Sequence, residues 1–157
     1  MKRALPIAVL ACLALPGVAS AEIVPQKSIA GVRLGMTQAK VKEIKGEPSS
    51  TKRGSNDFGP FTQYRYPKLT ITFKTGECGD LEVVNIRTTS AGEETSSGVG
   101  VGSTEAAVKK GVRRVKCETI AGFRSCHVGS FTPGRTVTDF AIKRGKVTFV
   151  NLGIVID

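Results

Sequence analysis

The sequence contains no tryptophan, a single histidine and an aromatic fraction of only 6% in 157 residues. The low aromatic content predicts a modest core built from Val, Ile and Leu. One histidine and a few dispersed thiols are too few ligands for a zinc site, which usually needs three or four Cys, His or carboxylate groups. The carboxylates show no paired spacing typical of acid–base catalysis. We therefore predict no metal, no cofactor and no enzymatic activity.

One pair of neighbours resembles a nucleophile and its base. His127 directly follows Cys126 in the sequence. Adjacent residues of a strand point to opposite faces of a sheet, and this cysteine is better used in a disulfide. We therefore expect no catalysis by the pair.

The N-terminus has the pattern of a bacterial secretory signal. A basic start is followed by an apolar stretch over residues 4–18 and by small residues that end at Ala21. This order predicts cleavage before Glu22. A membrane anchor is the alternative, but Pro6 and Pro16 interrupt the stretch, which has fewer than the ~18 unbroken apolar residues of a spanning helix.

A second reading of the same region gives a tethered protein. Residues 9–12 (Val-Leu-Ala-Cys) resemble a lipoprotein box, in which the Cys12 thiol would carry a lipid. The apolar sequence continues past Cys12 to the cleavage site at Ala21, so we favour a free protein in the periplasm, the cell envelope or the medium. Membrane anchoring through Cys12 remains open.

Three cysteines remain after the signal segment. Export permits disulfides, and the eight residues between Cys117 and Cys126 let the chain fold back on itself, so we pair these two. The chain-entropy model gives such a loop about 2–3 kcal/mol of stabilisation. Cys78 is left over at an expected hairpin tip. It is either an incidental free thiol or a reactive one.

Basic residues outnumber acidic ones by 23 to 13, which gives a net charge of +10. Loss of Lys2 and Arg3 with the signal segment would leave 21 against 13, or +8. This excess suits an acidic protein partner or an anionic envelope polymer. The basic residues are scattered, however, as on a solvated surface. An exported chain without a stacking motif gives no reason to expect nucleic-acid binding.

The strongest internal pattern is a repeat. Residues 31–42 return as residues 98–109 with seven of twelve positions identical. The match continues to Phe73 and Phe140, and then resumes as Val-Asn-Ile at 84–86 against Val-Asn-Leu at 150–152. We infer one small unit written twice.

Each copy predicts a short helix followed by strands. Thr37 is the expected N-cap of a helix over residues 38–45, and Thr104 has the same place in the second copy. Alternating apolar residues then predict pairs of strands, at residues 69–73 with 81–88, and at residues 137–143 with 146–156.

The predicted fold class is therefore α+β: two tandem helix-plus-β-hairpin repeats whose helices pack on an antiparallel sheet. Residues 1–21 would be the signal peptide, residues 22–90 repeat 1 and residues 91–157 repeat 2. Residues 88–97 would link the copies. Each copy alone buries too little apolar surface, so the two should form one compact domain.

The stretch at residues 29–41 (Ile-Ala-Gly-Val-Arg-Leu-Gly-Met-Thr-Gln-Ala-Lys-Val), closing with Gly-Glu-Pro at 46–48, resembles an exported repeat. The β-lactamase inhibitory protein has this unit in tandem, and the small accessory lipoproteins of the outer-membrane barrel-assembly machinery have one. The resemblance implies helices on one face of an antiparallel sheet, and disulfide loops after the helices. The second copy departs from the pattern, with Ser103 in place of Met36 and no Gly-x-Pro. No partner-contacting residue matches, so β-lactamase binding is not implied.

These observations predict an exported, non-enzymatic binding or inhibitor-like module. Its candidate binding residues are Phe123 and Arg124, with Phe58 and Arg53 at the corresponding place in the first copy. The alternative for the two phenylalanines is that they tuck under their loops and cover the core. The alternative for the whole protein is a thiol-dependent redox factor or enzyme that uses Cys78 or Cys126.

Overall fold

The computed structural model describes residues 22–76 and 78–156. The predicted signal peptide and the Cys12 box lie outside the described residues. Within those two ranges, no helix combines the length and hydrophobicity that crossing a bilayer requires.

Strands dominate the described chain, at 52% of residues. The first half contains, in order, β1 (Ile23–Val24), β2 (Ser28–Ile29), β3 (Val32–Arg33), α1 (Gln38–Lys45), β4 (Ser50–Asn56), β5 (Gly59–Tyr66), β6 (Leu69–Thr75) and β7 (Leu81–Thr88). The second half contains α2 (Glu105–Gly111), β8 (Lys116–Ile120), β9 (Phe123–Gly129), β10 (Thr136–Lys143) and β11 (Lys146–Ile154).

The long strands form one eight-stranded antiparallel sheet in the order β4-β5-β6-β7-β11-β10-β9-β8. Each half contributes a four-stranded meander, and the last strands of the two meanders pair at the centre. There Asn85 lies opposite Gly153 and Arg87 opposite Asn151. The short strands β1, β2 and β3 form a separate three-stranded sheet.

The predicted fold class is wrong. The structure is mostly β, with an eight-stranded sheet, a three-stranded sheet and only two short helices, and is not built from two helix-plus-hairpin repeats. Strand β4 and the small N-terminal sheet were not predicted, and the stretch between Cys117 and Cys126 that was expected to fold back is the β8–β9 hairpin. The assignment of residues 22–90 and 91–157 to two repeats stays a prediction.

The two helices begin where the sequence places them. α1 spans Gln38–Lys45 as predicted, and the Thr37 hydroxyl accepts a hydrogen bond from the Lys40 backbone N–H. Thr104 accepts the equivalent bond from Ala107 at the start of α2. Both N-cap predictions are confirmed, because a side-chain oxygen satisfies a backbone donor that has no partner within the helix.

A single apolar core lies on one face of the large sheet. Val41 of α1, Val108 of α2 and Ile29 of the small sheet are fully buried there with Phe73 and Phe140 from the strands. Both helices and the small sheet therefore cover the same face. Strand residues alternate between faces, so every second side chain of the large sheet points away from this core.

The connection after β7 is packed rather than loose. Glu93 and Thr95 are buried, and the Glu94 carbonyl accepts a hydrogen bond from the Ile23 backbone N–H at 2.9 Å. The segment expected to link two copies thus anchors the N-terminal sheet to the core.

We expect Thr37→Ala and Thr104→Ala each to lower the free energy of unfolding by about 1 kcal/mol through loss of the N-cap. Urea denaturation with circular dichroism would measure the change. Thr119→Ala, on the exposed edge strand β8, is the control for removing a hydroxyl and should change stability little. A neutral result at either cap would mean that the hydrogen bond contributes nothing there.

Candidate functional site

The face of the large sheet opposite the core is the main candidate surface. Neither helix nor the small sheet reaches it, since all three contribute to the core on the other side. Among the described residues, the connection between β9 and β10 does contact it: Phe131 packs on His127 with ring centroids 4.6 Å apart. We call this surface the open face.

One end of the open face is apolar. Ile120, Phe123, Phe131 and Phe149 line a depression of about 880 Å³, and we call these four residues the apolar patch. Phe123 is 79% exposed, and Ile120 and Phe131 are also exposed. Water therefore contacts large apolar side chains that contribute nothing to the core. Such clusters on soluble proteins commonly mark binding surfaces.

A tight turn presents part of the patch. Ile120 and Phe123 pair across the β8–β9 hairpin, and the two turn residues between them, Ala121 and Gly122, both have positive φ. Two positive φ values are typical of type I′ hairpin turns. The backbone therefore holds Ile120 and Phe123 next to each other on the open face.

Arg87 borders the patch and carries its charge. The guanidinium carbon lies 3.7 Å from the centroid of the Phe149 ring, in a cation–π arrangement. Lys143 lines the same depression. Stacking fixes the Arg87 side chain while leaving its N–H donors available, which is an arrangement that suits recognition of carboxylates.

Buried polar groups lie beside the patch. Asp139 and His127 are cross-strand neighbours, and neither Asp139 Oδ1 nor His127 Nδ1 has a hydrogen-bond partner among the described residues. Glu118 Oε1 lies 3.5 Å from His127 Nδ1, which gives an ion pair only when the histidine is protonated. Burial raises the pKa of Asp139, opposed by the Ser125 hydroxyl and the charge of His127.

Phe123 and Arg124 both line the depression, but as neighbours on β9 they point their side chains to opposite faces of the sheet. Phe123 points to the open face, whereas Arg124 points to the helix side, where its guanidinium pairs with Glu105 at the start of α2. Arg124 therefore ties β9 to α2. The alternative in which Phe123 covers the core does not fit its 79% exposure.

The other two candidate residues lie far from this surface. Phe58 is 50% exposed in the β4–β5 turn, and Arg53 is exposed on β4. β4 and β8 are the opposite edge strands of the sheet, and the registers put the β4–β5 and β8–β9 turns at opposite ends. The four predicted residues do not form one contiguous surface.

The predicted disulfide is confirmed. Cys117 and Cys126 are directly opposite each other on β8 and β9, and their sulfurs are bonded. With Glu105 they form the one potential metal-ligand cluster among the described residues, but both sulfurs are committed to the disulfide. Cys126 is buried in the core and His127 lies on the opposite face, as expected for neighbours on a strand. Cys78 is free and exposed.

Most residues of the open face were not predicted from the sequence. Arg87, Asp139 and Phe149 were not singled out, because they are neighbours only through strand pairing. The strands that hold these residues were predicted from the alternation of apolar residues. The positions between the apolar ones point to the open face, and they were the available signal for it.

No protein-family model matches the chain. No curated protein matches it either. Among solved structures, a DUF4309 family protein of Bacillus subtilis superposes with a TM-score of 0.44 at 21% identity, over 75% of this chain and 78% of that one. A cysteine-rich secretory protein of Staphylococcus aureus gives a TM-score of 0.47 at 12% identity, over 83% of this chain and 47% of that one. Because both TM-scores are below 0.5, neither likeness carries over a function.

The resemblance to the β-lactamase inhibitory protein and the barrel-assembly lipoproteins is wrong. The mostly-sheet fold, with an eight-stranded sheet and two short helices, is not a helix-plus-hairpin repeat. The glycine and threonine positions of the motif are explained locally. Gly35 adopts a positive φ of 77°, and Thr37 caps α1.

The Glu105–Arg124 pair predicts an acid-dependent loss of stability. Hydrogen bonds from Arg124 and then Lys109 lower the pKa of Glu105 from 4.5 to about 2. A carboxyl whose pKa is lower in the folded state stabilises the fold above pH 4.5, and this contribution disappears as the pH falls from 4.5 to 2. We expect Glu105→Gln to be less stable than the wild type at pH 7 and to approach it below pH 3.

Urea denaturation at several pH values would measure this convergence. Glu43→Gln, which removes a surface ion pair of α1 with Lys40, is the control for loss of one exposed carboxylate. A constant gap between the wild type and Glu105→Gln from pH 7 to pH 2 would contradict the prediction.

Proposed function

We propose that this protein is an exported, non-enzymatic binding module that holds an acidic protein partner of the cell envelope against the open face. The observation that carries the proposal is the apolar patch, which lies on the side of the sheet that the helices leave uncovered. Burial of this patch by a partner would remove large apolar groups from water, at roughly 25 cal/mol per Å² of apolar surface.

The composition of the patch supports a protein partner. Aromatic side chains next to an arginine are typical of the residues that dominate binding energy in protein interfaces. Phe123, Phe149 and Arg87 provide this combination. Ala141 and Ile142 add further apolar surface to the depression, which can therefore accept an apolar side chain of the partner.

Charge supports an acidic partner. Arg87 and Lys143 line the depression, and the whole chain carries +10. A positive surface accelerates encounter with an acidic one and disfavours basic competitors. Asp139 is the acidic side chain in the same lining, and it lies half-buried opposite His127 rather than at the exposed rim.

Rigidity of the hairpin also favours binding. The Cys117–Cys126 disulfide joins β8 to β9 a few residues from the turn that presents Phe123. A preorganised hairpin loses less conformational freedom on binding. Disulfides persist in oxidising compartments, which is compatible with an extracytoplasmic protein.

The alternative function, a thiol-dependent redox factor or enzyme, cannot use Cys126 as a free thiol, because Cys126 is in the disulfide. It now depends on Cys78, which is exposed in the turn between β6 and β7. No described feature of that turn favours a reaction over an incidental thiol.

The experiment is capture from envelope extract with immobilised wild type, Phe123→Ser and Phe58→Ser. Both phenylalanines are exposed in hairpin turns, so both variants should fold, and Phe58→Ser is the matched control at the opposite edge of the sheet. We expect the wild type and Phe58→Ser to capture the same partner protein in similar amounts. Phe123→Ser should capture at least tenfold less of it.

Capture that Phe123→Ser leaves intact would contradict the use of the patch. Capture that resists protease treatment of the extract and disappears at high salt would identify an anionic polymer, and would contradict a protein partner. Melting temperatures of the three proteins would exclude unfolding as the cause of any loss.

A further inference from the structure

A second depression lies at the centre of the open face, next to the apolar patch. Its volume is about 460 Å³. Its lining is wholly polar and has no acidic residue: Gln63, Arg65, Thr70, Asn85, Arg87, Thr89 and Asn151. Arg87 lines both depressions, so the two form adjoining parts of one surface.

Strand register builds this depression from separate parts of the chain. Arg65 lies opposite Thr70 on β5 and β6, Thr70 lies opposite Arg87 on β7, and Arg87 lies opposite Asn151 on β11. Directly opposite residues of an antiparallel sheet have their side chains about 5 Å apart on the same face. The four residues therefore form a continuous polar row across the centre of the sheet.

The two halves of the chain meet in this row. Asn85 and Asn151 occupy matching positions in the internal repeat, in Val-Asn-Ile and Val-Asn-Leu. Gly153 lies between them, and a Cβ atom there would be 2.7 Å from the Asn85 amide and 3.5 Å from the Asn151 amide. The missing side chain of Gly153 thus provides the space in which the two amides converge.

The electrostatic character of the depression is positive. Among the described residues, no carboxylate forms an ion pair with Arg65 or Arg87. Arg65 Nε donates a hydrogen bond to Gln63 Oε1 at 3.3 Å, and the Arg87 guanidinium stacks on Phe149. The nearest acidic residue in the row is Asp139, which lies directly opposite Asn151 on the neighbouring strand β10. Both guanidinium groups are thus held in place with N–H donors to spare.

We propose that this depression is a carboxylate subsite, which receives an Asp or Glu side chain of the protein partner while a neighbouring apolar side chain enters the apolar patch. The inference rests on the proposed function and deepens it. A guanidinium binds a planar carboxylate through two parallel N–H donors, and the amides supply further donors. Phosphate is also an anion that guanidinium groups bind, so the test includes it.

The test is NMR titration of the purified protein with the peptide Ac-Glu-Leu-NH2. Ac-Gln-Leu-NH2 is the uncharged control, and inorganic phosphate is the third probe. We expect saturable shifts of the Asn85 and Asn151 side-chain amides and of Arg87 Nε–H with the glutamate peptide, and at least tenfold weaker binding of the glutamine peptide.

Two variants localise the binding. Arg87→Gln should weaken the glutamate peptide at least tenfold, whereas Arg113→Gln, an exposed position at the end of α2, removes the same charge and should leave binding unchanged. Gly153→Ala keeps every charge but displaces the Asn85 amide, and should also weaken binding. If Arg87→Gln lowers the melting temperature, the Gly153→Ala variant still tests whether binding depends on this depression.

Equal binding of both peptides, or equal losses in Arg87→Gln and Arg113→Gln, would overturn the subsite. Binding of phosphate without binding of the glutamate peptide would overturn the assignment to a carboxylate. If Phe123→Ser abolishes partner capture but no probe binds, the subsite fails and the proposed function stands. If the glutamate peptide binds but no partner is captured, the subsite stands and the proposed function fails.

Discussion

The pairing of β7 with β11 is the contact on which the rest of the structure depends. Four residue pairs, from Val150 with Thr88 to Gly153 with Asn85, join two meanders that are each only four strands wide. Each meander alone would have two edge strands with unpaired backbone groups. Pairing of the last strand of each half covers both inner edges and produces one continuous sheet.

This pairing also decides what lies on each face. Because the halves meet through equivalent strands, α1 and α2 lie on the same side, and Val41 and Val108 enter one core with Phe73 and Phe140. The N-terminal strands add Ile23, Ile29 and Val32 to that side. Neither helix nor the small sheet covers the opposite face, and for this reason its alternate positions can carry arginines, amides and exposed aromatics.

The sequence predicted the elements whose signals are local. The Thr37 and Thr104 caps, the α1 boundaries and the Leu81–Thr88 strand follow from capping chemistry and alternation. It did not predict β4, because all seven of its residues are exposed and no apolar alternation marks it. β8 has one half-buried residue and is otherwise exposed. Edge strands are kept polar to prevent unwanted pairing, and the same polarity conceals them from pattern analysis.

The candidate site was harder to predict for a related reason. Its polar row runs across the strands, so Arg65, Arg87 and Asn151 become neighbours only once the register is known. Phe123 was found because it lies in a hairpin, where sequence neighbours are also spatial neighbours. Arg124 was assigned to the same surface although alternation along β9 turns it to the helix side, where it binds Glu105. The repeat gave the one long-range clue, since Asn85 and Asn151 are the polar members of its matching strands. Each asparagine precedes a buried core residue, Ile86 or Leu152, and therefore faces outward. Where the last strands pair, the two outward positions meet.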